Sequence, residues 1–379
     1  MKWIHLSDLH LGKRVNEFSM LEDQKDILQK IIKIIDDEQP DAVLIAGDVY
    51  DKSVPSAEAV ELFDRFLVEL ADRKQETFII SGNHDSPERL SFANRLIDPT
   101  GIHLAPVYNG EIRPFSLMDE NGIVDIYMLP FVKPASVRRF FPEEEIISYE
   151  DAVRVAIGAM QVDETKRNVL ITHQFVTGAA TSDSEELSVG GTDQVSTDVF
   201  QAFDYVALGH LHRPQNVKAS IRYCGTPLKY SFSEVNDRKS VTVVELKEKE
   251  ELLIREVPLA PLRDMKEIKG TYNELTLKDY YDKDPEMKEA YLHITLTDEE
   301  DVPDAAAKLR VIYPNLMKLD YDNTRTRNTQ SVQALSEVEK KTPLELFYAF
   351  YEMQNGQEMS LEQKQYLETL IEGIWEGDI

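Results

Sequence analysis

The sequence predicts a layered α/β fold, and three observations support this prediction. Short apolar runs rich in β-branched residues alternate with amphipathic stretches through residues 1–260. Glycine and polar residues bound most of these runs, which is typical of buried strands. Alternation of strands with helices indicates sheets that are covered by helices. At 379 residues, the chain has room for two or three domains and a sizeable core.

Four amphipathic stretches are the predicted helices of this first part. Their apolar residues recur at three- and four-residue spacing, and one stretch opens with Pro55, which favours a helix start. The predicted helices span residues 20–39, 55–73, 87–97 and 148–160. Two later apolar runs, 221–224 and 240–246, predict strands of a more antiparallel region.

The chain changes character at residues 258–262, Pro-Leu-Ala-Pro-Leu, which we interpret as a domain boundary. An alternating strand at 291–296 and a helix at 304–313 then predict a small α+β domain over 263–325. Residues 326–341 are polar and poor in large apolar side chains, so they are predicted to be a linker. Apolar stripes at helical spacing predict helices within 342–379.

Composition bounds the compartment and the class of partner. Cys224 is the single cysteine, so the chain can form no internal disulfide, as expected in a reducing compartment. Nothing beside Cys224 would activate a thiolate, which favours a buried, inert side chain over a nucleophile. The N-terminus enters a strand rather than a signal peptide, and no apolar run approaches 18 residues. We expect a soluble, cytoplasmic protein with no membrane span.

The net charge of -27 argues against a stand-alone nucleic-acid binder, since such proteins are usually basic. Acidic residues are in excess both in residues 1–260 and in residues 261–379. Bound divalent cations would offset part of the charge locally, and a basic partner protein would offset more.

Five short polar strings carry the candidate chemistry, and most of them directly follow a predicted buried strand. Because such strands end at one edge of an open sheet, the fold is expected to bring the strings together. The strings are Asp8-Leu9-His10, Gly47-Asp48, Gly82-Asn83-His84-Asp85, Thr172-His173 and Gly209-His210-Leu211-His212.

These residue types suit a pair of metal ions, which need one bridging ligand and two flanking sets. Asp48, at a tight turn after a strand, is the candidate bridge. The pairs Asp8/His10 and His210/His212 are spaced two apart, so an extended segment would point both members the same way. Nitrogen and oxygen donors without thiolate suit manganese, iron or zinc better than calcium. Such a site activates water for attack on phosphorus and stabilises charge on the phosphoryl oxygens.

His84 is the candidate catalytic residue. Because Asn83 offers a ligand oxygen, its neighbour is expected to face the substrate and to contact the phosphate or protonate the departing oxygen. Asp85 is a candidate for orienting the His84 imidazole.

Other polar residues have two interpretations each. The candidate phosphate or DNA contacts, each of which is also explained as an ordinary loop residue, are Lys13, Arg14, Arg138 to Phe141, Gly190, Gly191 and Lys229. For Arg138 to Phe141, a loop that packs its Phe residues is the favoured interpretation. His5, His103 and His293 lack a motif and are expected to be ordinary strand or loop residues.

At these strings the chain resembles the calcineurin-like metallophosphoesterase superfamily, and within it the SbcD nuclease family. The superfamily pattern is Asp-x-His, Gly-Asp, Gly-Asn-His-Asp, a lone His and Gly-His-x-His, in that order. The narrower resemblance lies in residues 5–12, 188–191 and 225–234. It implies a layered β-sandwich core flanked by helices, with a small α+β capping domain and C-terminal helices.

The resemblance also implies roles for named residues. One metal would be held by Asp8, His10, Asp48 and His212, and the second by Asp48, Asn83, His173 and His210. His84 falls on the family's catalytic histidine. A further histidine that some relatives carry after the Gly-Asp string has no counterpart in residues 49–53.

The implied activity is manganese-dependent exonuclease and endonuclease cleavage of DNA at double-stranded ends, hairpins and single strands. The implied partner is the SbcC ATPase, bound through the C-terminal helices, with a homodimer inside a heterotetramer. Those helices have a second interpretation, in which they pack on their own core. Two other functions stay open: a small-molecule phosphodiesterase or protein phosphatase with the same site, and a DNA-end tether.

Overall fold

A computed structural model describes residues 1–324 apart from 93, 186–192 and 250. It also describes residues 326, 347–348, 351, 359–360, 363–364 and 366–367. With those few exceptions, the predicted linker at 326–341 and the predicted helices at 342–379 lie outside the described residues, as does segment 188–191. Among the described residues, no helix is both long and apolar enough to cross a lipid bilayer.

Sixteen strands are described in the first part of the chain. In chain order they are β1 Lys2–Leu6, β2 Arg14–Val15, β3 Phe18–Ser19, β4 Ala42–Ala46, β5 Glu76–Ile80, β6 Ile102–Ala105, β7 Phe115–Asp119, β8 Gly122–Leu129, β9 Arg167–His173, β10 Phe175–Val176, β11 Gln194–Val195, β12 Tyr205–Gly209, β13 Gln215–Lys218, β14 Ile221–Tyr223, β15 Ser240–Leu246 and β16 Leu252–Pro258. Two short pairs, β2 with β3 and β10 with β11, lie outside the main sheets.

Two six-stranded mixed sheets form the core. The first has the order β16-β15-β1-β4-β5-β6, in which β1, β4, β5 and β6 are parallel and β15 and β16 are antiparallel additions. The second has the order β13-β14-β12-β9-β8-β7, with β8, β9, β12 and β14 parallel and antiparallel strands at both edges. Five of these eight parallel strands, β1, β4, β5, β9 and β12, end next to the polar strings.

Alternation along the strands shows that the two sheets pack face to face. In β4, Leu44 belongs to the cluster shared by both sheets, while its neighbours Val43 and Ile45 pack on the opposite side. In β12, Tyr205 faces the shared cluster and Val206 faces away from it. Since successive strand residues point to opposite faces, each sheet buries both of its faces. The predicted β-sandwich core is therefore confirmed.

Helices cover the outer faces of the sandwich. The principal ones are α1 Leu21–Glu38 and α2 Ala57–Asp72 on the first sheet, followed by the short α3 Pro87–Leu90, α4 Asn94–Ile97 and α5 Pro134–Arg138, and then α6 Tyr149–Met160 on the second sheet. Ser56 caps α2, and a capping box of Ser148 and Asp151 starts α6.

One helix prediction is wrong. The stretch 87–97 is not continuous but consists of α3 and α4, followed by a 3-10 turn at Asp98–Thr100. The Ser91 hydroxyl donates to the Glu88 carbonyl at 2.7 Å, and the side-chain amide of Asn94 donates to the Leu104 carbonyl at 2.8 Å. Such local polar side chains compete with helix continuation.

The region after residue 262 has a sheet and a core of its own. Parallel strands β17 Met265–Gly270, β18 Tyr291–Leu296 and β19 Leu316–Tyr321 pack with short helices α7 Tyr272–Leu275, α8 Lys278–Tyr281, α9 Glu286–Glu289 and α10 Ala305–Arg310. The predicted strand 291–296 is found, and the predicted helix 304–313 is shortened to α10. A separate core is what a capping domain over 263–325 requires, and the exact domain limits stay a prediction.

A buried ion pair ties this region to the sandwich. Asp23, in α1, is fully buried, and one of its oxygens accepts from Arg263 at 2.9 Å and from the Tyr291 hydroxyl at 2.6 Å. Its other oxygen has no hydrogen-bond partner among the described residues. The charge of Asp23 therefore depends on these two donors.

Replacing Tyr291 with Phe is expected to lower the free energy of unfolding by about 1–3 kcal/mol, because a buried carboxylate loses one of its two donors. Chemical denaturation measures this. Tyr272→Phe is the matched control, since the hydrogen bond from Tyr272 to Asp298 uses the backbone amide, which the substitution retains, and its effect should stay within about 0.5 kcal/mol. Equal effects of the two variants would show that the contact between Asp23 and Tyr291 adds nothing to stability.

Candidate metal centre

All eight predicted site residues lie together where β1, β4, β5, β9 and β12 end. Six of them, Asp8, His10, Asp48, His173, His210 and His212, are buried, and Asn83 and His84 are partly exposed. The first three of these strands belong to one sheet and the last two to the other. The cluster therefore sits across the seam of the sandwich, at the carboxyl edge of both sheets.

Tight turns, rather than extended segments, direct the ligands inward. The φ angles of Asp8, His10 and Asp48 are 51°, 44° and 49°, in the left-handed region. The Asp8 amide donates to the Gly47 carbonyl and the His10 amide to the Asp48 carbonyl, both at 3.0 Å. The expectation that Asp8 and His10 share one side of an extended segment is therefore wrong, because paired turns set their directions instead.

Asp8, His10 and His212 form the first group of donor atoms, all within 4.8 Å of one another. Nε2 of His10 lies 3.1 Å from Nε2 of His212 and 3.7 Å from Oδ2 of Asp48. Asp8 also accepts from the His210 amide at 3.0 Å, so its carboxylate is fixed by the backbone of the last string.

Asn83, His173 and His210 form the second group. Oδ1 of Asn83 lies 3.0 Å from Nε2 of His173 and 2.9 Å from Nδ1 of His210. Nε2 of His173 is 3.3 Å from Oδ2 of Asp48. The same Asp48 oxygen thus lies close to donors of both groups, which is the position that a bridging ligand needs.

His84 stands beside both groups. Its amide donates to Oδ1 of Asp48 at 2.9 Å, and its Nε2 lies 4.0 Å from Oδ2 of Asp48. Its Nδ1 lies 3.1 Å from the Asp51 carbonyl, which accepts its proton and orients the ring. The side chain is 15% exposed, so His84 borders solvent, whereas Asp8, His10 and Asp48 are buried.

The predicted role of Asp85 is wrong. Its carboxylate accepts from the amides of Val49, Tyr50 and Gly82 at 2.9–3.1 Å and does not orient His84. These three bonds join the Gly-Asp turn to the Gly-Asn-His-Asp turn. Asp85 therefore holds the two turns in register, and its hydrogen bonds go to backbone amides rather than to the His84 ring.

The electrostatics of the cluster fit divalent cations. Burial, helped by the charge of Asp48, raises the pKa of Asp8 to about 6. Burial opposes charge on Asp48 too, but the imidazoles of His173 and His10 hold its pKa well below the usual range. Burial lowers the pKa of His210 to about 3 and that of His10 well below its usual value, so both present neutral nitrogens. Burial opposes charge on His173, but the Asp48 carboxylate raises its pKa to about 9, so this imidazole would release a proton when it binds a cation. Carboxylates and neutral imidazoles are the donors that such cations bind.

Groups outside the five strings, one from the backbone and two from side chains, hold two of the histidines. Nδ1 of His173 donates to the Ala46 carbonyl at 2.8 Å, which leaves Nε2 free to face Asn83 and Asp48. Nδ1 of His212 lies 2.6 Å from the Ser184 hydroxyl, which in turn lies 2.5 Å from Glu234. The sequence offered no signal for Ser184, and Glu234 closes the 225–234 segment without a motif-based role.

The other candidates have structural partners. Lys13 pairs with Asp51 at 2.7 Å, and Lys229 donates to the Val235 carbonyl at 2.7 Å. Phe141 packs against the core of the second sheet. Cys224 is buried, and burial raises the pKa of its thiol to about 11, as an inert cysteine requires.

The three histidines without a motif also have partners. His5 lies buried, 2.8 Å from the Tyr205 hydroxyl. His103 lies between Glu76 and Asp98, and His293 lies between Glu267 and Asp320. Gly190 and Gly191 lie outside the described residues.

The close approach of Gly82 to Asp48 generates a test. A Cβ atom on Gly82 would lie 2.1 Å from Oδ1 of Asp48 and 2.5 Å from its backbone nitrogen. Gly82→Ala is therefore expected to displace one of the two turns and to lower the free energy of unfolding by about 1–3 kcal/mol. Gly158→Ala is the control, because a Cβ there meets nothing within 4 Å and α6 should gain up to about 1 kcal/mol. A neutral Gly82→Ala would contradict the tight packing of the two turns.

Known proteins match this architecture along the whole chain. The calcineurin-like phosphoesterase family matches residues 1–214, and a family described as the type 5 capsule protein repressor C-terminal domain matches residues 261–355. The SbcD component of nuclease SbcCD from Staphylococcus epidermidis is 34% identical over 379 residues, and its counterpart from Staphylococcus saprophyticus is 33% identical over 381 residues. Each alignment covers 99% of both chains.

A solved structure described as a dimetal phosphatase from Danio rerio is 11% identical and superposes with a TM-score of 0.41, covering 68% of this chain and 95% of that chain. The family match spans more than half of the present chain, and the two bacterial relatives span nearly all of it. The chain therefore belongs to the calcineurin-like phosphoesterase family and, within it, to the SbcD family of nucleases.

Proposed function

We propose that this protein is the nuclease component of a DNA-processing complex and that it hydrolyses DNA phosphodiesters with two metal ions. One observation carries the proposal: seven candidate ligand or catalytic side chains cluster around Asp48 in a chain related along 99% of its length to the SbcD component of nuclease SbcCD. The proposed activity comprises exonuclease and endonuclease cleavage of double-stranded ends, hairpins and single strands.

The proposed ligand sets follow the two groups of donor atoms. Asp8, His10, Asp48 and His212 would hold one ion, and Asp48, Asn83, His173 and His210 the other. We propose manganese, because the donors are imidazole nitrogens and carboxylate or amide oxygens, without thiolate. When bound, the two ions would supply an activated water for attack on phosphorus and would neutralise charge on the phosphoryl oxygens.

His84 is the proposed catalytic residue. Because its Nδ1 proton is accepted by the Asp51 carbonyl, its Nε2 is the nitrogen that takes up or releases a proton on the side facing Asp48. At that atom, His84 can donate to a phosphoryl oxygen or protonate the departing oxygen. Its partial exposure lets a substrate reach it, whereas Asp8 and His10 beneath are fully buried.

The rest of the chain is proposed to bring DNA and a partner to the site. Residues 263–325 would cap the active site and select DNA shape, with 326–341 as a linker. Residues 342–379 would bind the SbcC ATPase, in a homodimer within a heterotetramer. A basic DNA-binding surface on SbcC would offset the repulsion between DNA and this chain, whose net charge is -27. We place the complex in the cytoplasm, which suits a single buried cysteine.

The activity test compares DNA with a small diester. End-labelled linear duplex and hairpin DNA are incubated with the purified chain and manganese, with and without EDTA, beside a chromogenic phosphodiester. We expect EDTA-sensitive cleavage of the DNA. His84→Ala should reduce it by about 10²- to 10⁴-fold, because general acid catalysis is lost while the proposed metal ligands remain. His103→Ala is the matched control, since His103 contacts Glu76 and Asp98 instead, and it should cleave normally.

The opposing results are distinct. Brisk turnover of the small diester without DNA cleavage, even after addition of SbcC, would favour a small-molecule phosphodiesterase. Undiminished DNA cleavage by His84→Ala would remove His84 from the mechanism. Protection of DNA ends without cleavage would favour the alternative in which the protein tethers DNA ends.

A further inference from the structure

His212 is held more completely than any other histidine of the described cluster. Its amide donates to Oε1 of Glu185 at 2.7 Å, and its carbonyl accepts from Lys239 at 2.8 Å. Its Nδ1 lies 2.6 Å from the hydroxyl of Ser184. The backbone on both sides of the residue and the far side of the ring are thus all fixed by side chains from other segments.

The chemistry of the partners sets the direction of each hydrogen bond. Ser184 lies 2.5 Å from Oε1 of Glu234, a fully buried carboxylate that also accepts from Lys239 at 2.5 Å. A carboxylate paired with an ammonium group accepts only, so the single hydroxyl proton of Ser184 points to Glu234. The Ser184 oxygen must then accept the proton of His212 Nδ1, which leaves the Nε2 lone pair facing His10.

Lys239 holds both Glu234 and the His212 backbone in place. It is 5% exposed, and its three protons go to Glu234, to the His212 carbonyl and to Oγ1 of Thr226 at 2.5, 2.8 and 2.9 Å. An ammonium group has three donors, so each one is used. Glu234 can therefore stay charged in the interior. Acting through Ser184, its negative charge strengthens the electron-pair donation that His212 Nε2 can offer to a metal ion.

The other histidines of the two donor groups have less support. Nδ1 of His10 and Nε2 of His210 are buried and have no hydrogen-bond partner among the described residues, and His173 donates to the neutral carbonyl of Ala46. His10 and His173 approach the Asp48 carboxylate through Nε2, whereas His212 is linked from its Nδ1 through the Ser184 hydroxyl to a second buried carboxylate, that of Glu234. In the first donor group, the orientation of one imidazole is therefore fixed by a hydroxyl and a carboxylate. No histidine of the second group has such a link among the described residues.

We propose that Ser184 and Glu234 are positioning residues that fix the tautomer and direction of His212 and thereby set the affinity of the first metal subsite, formed by Asp8, His10 and His212. This inference rests on the dinuclear site of the proposed function. It adds a hydroxyl and a carboxylate that contact neither metal nor DNA but act through His212.

Isothermal titration of the metal-free protein with manganese chloride tests the inference without any nuclease assay. The wild-type chain should bind two ions. Ser184→Ala should weaken one of them by about 10- to 100-fold and leave the other within about twofold, because outer-shell partners of ligating histidines tune affinity by that amount. Ser184→Thr, which retains the hydroxyl, should restore the wild-type affinities.

Two further variants separate positioning from folding. Ser233→Ala is the matched control, because the Ser233 hydroxyl accepts from the Asp183 amide in the same loop at 3.1 Å and does not contact His212. It should bind both ions normally. Glu234→Gln should mimic Ser184→Ala in affinity, and the double variant should lose no more than Glu234→Gln alone, since both residues act through one contact. The melting temperature of metal-free Ser184→Ala should stay within about 3 °C of wild type.

Each contrary outcome has one meaning. If the wild-type chain binds no manganese, the proposed metal site itself fails. If the wild type binds two ions and Ser184→Ala binds both equally well, only the positioning role is overturned. If Ser184→Ala weakens both ions to the same extent, the restriction to the first subsite is overturned.

Discussion

The mutual electrostatics of the buried carboxylates and imidazoles at the sandwich edge constrain everything around them. Asp8 and Asp48 are 0% and 2% exposed, and they share their space with His10, His173 and His210. Burying charges without partners is costly, so each group must be held where its neighbours or a cation offset the cost. Two sheets whose parallel strands all end at this edge supply that rigidity, and Asp85 ties two of the ligand turns together.

Sequence alone predicted the strands that carry the site, because buried β-branched runs ending in polar residues have few other interpretations. It also predicted the Tyr291–Leu296 strand without error. It could not predict the left-handed turns at Asp8 and Asp48, whose shape comes from hydrogen bonds between strands distant in sequence. Nor could the sequence predict the role of Glu234, because that role depends on contacts with Lys239 and Ser184 that only the fold creates.

The segment between the second sheet and the capping region links the site to the rest of the chain. Glu234 and Lys239 lie in this segment and hold His212, while Lys229 pairs with Asp264 at 2.8 Å beside the bond from Arg263 to Asp23. One stretch of chain therefore supports a candidate metal ligand and anchors the region after residue 262.

Anomalous diffraction would show whether Asp48 bridges two metal ions, as we propose. Crystals soaked in manganese would be measured on both sides of the manganese absorption edge. We expect two anomalous peaks about 3.5–4 Å apart, with Asp48 between them, His10 and His212 at one peak, and His173 and His210 at the other. A single peak, or two peaks that Asp48 does not join, would contradict this proposal.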